Sequence, residues 1–140
     1  MYTAYKYCTL YTTGLALSII QRFFGGFDLL LQTLVVLMAI DLLTGLIRAI
    51  VFRKSDKTES GRLSSLAGIQ GLFKKASCFL LIIAAVYLDA LLGTNTLTRD
   101  AVIIAFCLNE LISILENVGC IGIKMPAPLV NALEILSKKI

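Results

Sequence analysis

Residues 28–51 read "DLLLQTLVVLMAIDLLTGLIRAIV". As a helix these 24 residues would rise about 36 Å, enough to cross the roughly 30 Å hydrocarbon core of a bilayer. The run is apolar on most faces, so it would make a poor surface helix in water. Two more runs of the same kind follow, residues 76–93 and residues 100–118. The chain is therefore read as all-α, an integral membrane protein with three strong transmembrane helices. Whole-chain composition agrees: of 140 residues, 58% are hydrophobic and 16% charged, with a mean hydropathy of +0.87. Soluble domains sit nearer 45–50% apolar, and a soluble helical domain seldom carries runs this long.

Residues 8–27 form the ambiguous part. They are moderately apolar, hold four Thr or Ser and end in "RFFGGFD", where paired glycines mark a break. The segment is either an interfacial helix, with Tyr5, Tyr7 and Tyr11 at headgroup depth, or a weak fourth span. The hydroxyl residues favour the interface, and no small-residue cleavage site marks a signal peptide. At the other end, residues 126–140 place Leu129, Leu133, Leu136 and Ile140 at helical spacing, an amphipathic cytoplasmic tail.

Loop charge sets the expected orientation. Residues 53–75 hold Arg53, Lys54, Lys57, Arg62, Lys74 and Lys75, whereas residues 93–100 offer only Arg99. The positive-inside rule puts the basic loop and the C-terminus in the cytoplasm. This topology also accounts for the net charge of +4 without nucleic acid as a partner. Histidine is absent, and Cys8, Cys78, Cys107 and Cys120 form no CxxC pair. Neither a metal site, nor a cofactor, nor His-based catalysis is expected, and no nucleophile has a base beside it. The chain is read as a non-enzyme.

Polar residues inside the spans are the candidate functional groups, since an ionisable residue at mid-span costs roughly 2.5–3.5 kcal/mol and usually faces protein or water. Span one carries Asp41, Thr44, Gly45 and Arg48. Asp41, Gly45 and Arg48 share a face, although Arg48 is close enough to the cytoplasmic end to snorkel. Span two carries Asp89 near its outer end, where headgroups could solvate it. In span three, Asn109, Ser113, Glu116 and Asn117 recur at helical spacing with Glu110 flanking, opposite Ile104, Leu108, Leu111 and Leu115. These ten are helix-interface or pore-lining candidates. A polar stripe of this kind calls for protein or water as neighbour, and so for assembly.

"DLLTGLIRA" (residues 41–49), "SSLAGIQGLFKK" (64–75), "NELISILEN" (109–117) and then "MPAPL" (125–129) together resemble the phage lysis and toxin-secretion holin family of Gram-positive phages and clostridial toxin loci. The resemblance covers residues 28–137. Its pattern falls on Asp41, Thr44, Gly45, Ser64, Gly68, Gly71, Lys75, Asp89, Asn109, Glu110, Ser113, Glu116, Asn117, Gly122 and Pro126. It implies a homo-oligomer in the bacterial cytoplasmic membrane that permeabilises the bilayer so that an endolysin or a toxin can leave. The family also admits an antiholin made from a second start. Here the next methionine after Met1 is Met38, inside span one, so no such start is visible. Two other readings stand beside it: a small ion-coupled transporter using Glu110 or Asp41 as proton carrier, and a non-pore anchor or accessory subunit working through residues 53–75. No internal repeat supports the transporter.

Overall fold

The computed structural model describes residues 2–51 and 65–137. Among them lie five helices and no strand: α1 (Tyr2–Phe24), α2 (Leu29–Ile50), α3 (Ser65–Leu92), α4 (Leu97–Ile121) and α5 (Ala127–Ser137). Three segments are long and apolar enough to cross a membrane: Leu29–Ile50, Gly68–Leu92 and Leu97–Ile121, with mean hydropathies of 2.2, 2.0 and 1.8. Arg53, Lys54, Lys57, Arg62 and Ser64 of the basic loop lie outside the described residues, as do Lys138 and Lys139.

One boundary differs from the expectation. Helix α3 begins at Ser65, so Lys74 and Lys75 are helical, not the end of a loop. Charge marked them as a stop to the membrane run. The backbone continues through them because nothing in "SLAGIQGLFKKAS" breaks a helix other than two tolerated glycines.

Helix α4 is the middle element, packed chiefly on α2 and then on α3. Helices α2 and α4 run in the same direction, with α3 antiparallel to both. A small apolar layer fills the space between them: Leu31, Leu34 and Met38 from α2, Ile82 from α3 and Ile103 from α4. Leu34, Ile82 and Ile103 are wholly inaccessible. Phe24 at the end of α1 reaches this layer and meets Phe79 edge-on, with ring centroids 5.9 Å apart. By contrast α2 turns Val35, Val36, Leu42, Leu43 and Ile47 outwards, a surface suited to lipid. Lipid tails are as apolar as leucine, so this thin layer supplies little net drive for helix association. Polar links between helices must specify much of the arrangement.

Helix α1 is exposed along most of its length, including Tyr5, Tyr7 and Tyr11. It joins α2 through Gly25 (φ +72°) and Gly26 (φ +125°), backbone conformations that L side chains rarely adopt. This is the break that the paired glycines announced. At the other end, Gly122 stops α4 in the left-handed conformation, and Pro126 precedes α5.

Candidate functional site

The apolar layer is bounded at each end by a cluster of bonded polar groups around buried members, Glu110 and Asn117 at one end and Asp89 and Arg99 at the other. At the end nearer the α2–α3 loop, the Lys75 ammonium stands between two carboxylates. It donates to Asp41 Oδ2 at 3.0 Å and to Glu110 Oε2, which joins α3 to α2 and α4 at once. Asn117 extends the network: its Nδ2 donates to Asp41 Oδ1 (3.1 Å) and Thr44 Oγ1 (3.4 Å), and its Oδ1 accepts from Arg48 at 3.3 Å. Gly45 lies beside this network, and a Cβ there would make only ordinary contact, 3.6 Å from Asn117 Nδ2. Two acids and two bases are therefore gathered where one unpaired charge would be costly.

The other end holds a second cluster that centres on Arg99. Its guanidinium forks onto Asp28 at 2.8 and 3.1 Å, and also donates to Asp100 and to the carbonyls of Phe24 and Gly26. Asp28 in turn caps α2 by accepting from the Leu31 N–H at 3.0 Å. Asp89 does the same for α4 from the end of α3. It accepts from the N–H groups of Thr98 (2.9 Å) and Arg99 (2.8 Å) and from the Thr94 hydroxyl. The ends of four helices meet here. Among the described residues, no buried side-chain nitrogen or oxygen lacks a hydrogen-bond partner.

This second centre is not among the expectations from sequence. The sequence marks Arg99 only as the one basic residue of a short external loop, and Asp89 as a headgroup-solvated acid. Both are 1% exposed. Asp89 is satisfied by backbone donors of a neighbouring helix, a role that spacing within its own span does not reveal. The one available signal was the pair Arg99–Asp100 following a Gly-Thr-Asn-Thr turn.

The expected polar stripe of α4 is divided. Glu110 and Asn117 are buried against α2 and α3, Ser113 is half-buried, and Asn109 and Glu116 point away from the bundle and are exposed. Each pair is seven residues apart, on faces about 100° from one another. Neither Asn109 nor Glu116 makes a side-chain hydrogen bond or ion pair with another described residue.

The Arg99 guanidinium beside Asp28 holds that carboxyl below its ordinary value of 3.8, outweighing the opposing effect of its partial burial. A depressed acid contributes stability that is complete above the unfolded value and is lost as pH falls through the folded one. Unfolding midpoints in detergent should therefore drop as pH goes below about 4. In Asp28→Asn that part of the pH dependence should vanish, and an unchanged profile would show the pair to be inert.

The sequence matches the bacteriophage holin family over residues 18–138. The chain belongs to that family. Within it, the chain is similar to a probable holin of Bacillus phage phi105, with 30% identity covering 86% of this chain and 84% of the relative. An uncharacterized protein of Listeria monocytogenes shares 38% identity over 87% and 81% of the two chains. An uncharacterized 14.9 kDa protein in the nagH 3' region of Clostridium perfringens shares 36% over 83% of each. No solved structure matches. Family membership and three apolar helices together make this holin a multi-pass membrane protein.

Proposed function

We propose that this holin accumulates in the bacterial cytoplasmic membrane, assembles with copies of itself and permeabilises the bilayer, so that an endolysin or a toxin passes out. The family match over most of the chain carries this reading, and the phage relative described as a probable holin supports the lytic version of it. The structure contributes a physical reason for assembly. Asn109 and Glu116 are exposed on a span, a costly arrangement for a lone protomer in lipid that a protein neighbour or water relieves. The buried Glu110 and Asn117, with the half-buried Asp41, Thr44, Gly45 and Arg48, then hold the protomer together, while Asp89 secures its opposite end. By the positive-inside rule the basic loop and C-terminus are cytoplasmic. An antiholin would be a regulator of the same assembly.

The transporter alternative needs a carboxylate able to take up and release a proton. Asp41 and Glu110 are both bound to Lys75, which disfavours such traffic. Expression from a tight promoter should halt growth abruptly, collapse the membrane potential and release a co-expressed endolysin or periplasm-free reporter enzyme to the medium. Normal potential and viability at high membrane levels of the protein would overturn the proposal.

A further inference from the structure

The two exposed polar groups of α4 have counterparts on α3. Lys74, Ser77 and Gln70 are exposed too, and Lys74 forms no ion pair with a described residue. Depth along the bundle is fixed by two contacts, Lys75 with Glu110 and Asp89 with the Thr98 N–H. Counting from these at 1.5 Å per residue, Ser77 stands level with Asn109, and Gln70 with Glu116, each to within about 2 Å. Lys74 lies about 6 Å along the axis from Glu116. Side chains lean toward the N-terminus of their own helix. In antiparallel helices those directions converge here, so the long Lys74 stem and the Glu116 carboxylate lean toward a common depth.

Copies of a membrane protein related by rotation about the bilayer normal keep every residue at its own depth. A residue of one protomer can therefore meet only level residues of the next. Packing α4 on the α4 of a second copy would set Glu116 beside the partner's Glu116, a like-charge contact. The outward face of α2 is apolar and offers neither residue a partner. The outward face of α3 offers a cation and two hydrogen-bonding side chains in register.

We propose that the exposed face of α4 docks on α3 of a second copy of this chain, with Glu116 bound to the partner's Lys74 and Asn109 beside the partner's Ser77. This rests on the reading of the chain as a self-assembling holin and names the surface it would use. Burying an acid against a base in this way removes from lipid a charge on α3 and a charge on α4 that the protomer leaves exposed. Because the two patches differ, the contact is directional. Repeated from copy to copy it generates rings or open arrays, not only dimers.

The test is disulfide trapping in membranes with full-length, cysteine-free chain carrying two epitope tags. One form bears Ser77→Cys and the other Asn109→Cys, so that only a contact between copies gives a doubly tagged dimer. The expected result is a prominent 77–109 dimer on mild oxidation and little 109–109 dimer. Glu116→Lys or Lys74→Glu alone should lower its yield about tenfold, and the two changes together should restore it. Predominant 109–109 dimers would overturn the proposal. So would cells that lyse normally while no 77–109 dimer forms and a membrane-impermeant maleimide labels Asn109→Cys, since α4 would then face water. A charge-reversible 77–109 dimer in cells that never leak would uphold the interface and sink the holin reading instead.

Discussion

Replacing Lys75 with methionine is expected to destabilise the bundle by about 3–5 kcal/mol, the usual cost of removing one partner from a buried ion pair. The side chain is 19% exposed, and its two acceptors, Asp41 and Glu110, are 16% and 7% exposed. Without the ammonium, Asp41 keeps the Asn117 amide as donor while Glu110 loses its own, and the two carboxylates stand with no cation between them. The unfolding midpoint in a denaturing-detergent titration should fall sharply, and Lys75→Arg, which keeps the charge, should lose much less. The decisive comparison is the triple variant Lys75→Met, Asp41→Asn, Glu110→Gln. It removes the cation and both charges together, and most of the lost stability should return. If Lys75→Met alone unfolds like the parent, the network is not what holds α3 in place.

That network shows where sequence reading stops. The three spans are legible because length and apolar content need only local counting, and the bilayer sets the threshold. The glycine break before Asp28 is legible for the same reason. What Lys75 does is not local: its partners are 34 and 35 residues away. In sequence it sits beside Lys74 at the edge of an apolar run, where two lysines look alike. Their side chains leave the helix about 100° apart, so one enters the bundle and the other leaves it. The stripe on α4 fails in the same way. Glu110 with Asn117, and Asn109 with Glu116, have the same period, and helical spacing alone does not say which pair finds neighbours. Only the placement of α2 and α3 decides it. Asp89 is a third example, since a carboxylate that caps another helix looks, within its own span, like one awaiting a headgroup.

The Arg99 centre yields the other large expected effect. Arg99→Leu should lower stability by about 3–5 kcal/mol, because it strips the cation from a buried, fully bonded position. It also takes away donors to the Phe24 and Gly26 carbonyls, which tie the end of α1 to the bundle. Arg99→Lys keeps the charge but cannot fork onto both oxygens of Asp28, so an intermediate loss is expected. A double-mutant cycle separates the Asp28 bond from the rest. Arg99→Leu and Asp28→Asn should be strongly non-additive, with a coupling of about 1–3 kcal/mol, since each removes the same contact. The residual cost of Arg99→Leu in the Asp28→Asn background then measures what the guanidinium gives to the α1 junction. Fluorescence quenching by lipid-soluble quenchers at a probe on Cys8 should change in Arg99→Leu and stay as in the parent in Asp28→Asn. An additive cycle would mean that the Asp28 bond contributes nothing to the effect of Arg99→Leu, whereas no residual cost of Arg99→Leu in the Asp28→Asn background, with a Cys8 probe that responds equally to both, would mean that Arg99 serves only as the counter-ion of Asp28. A response confined to Arg99→Leu would make it the tether of α1, and with it the residue that decides whether the first helix moves with the bundle or apart from it.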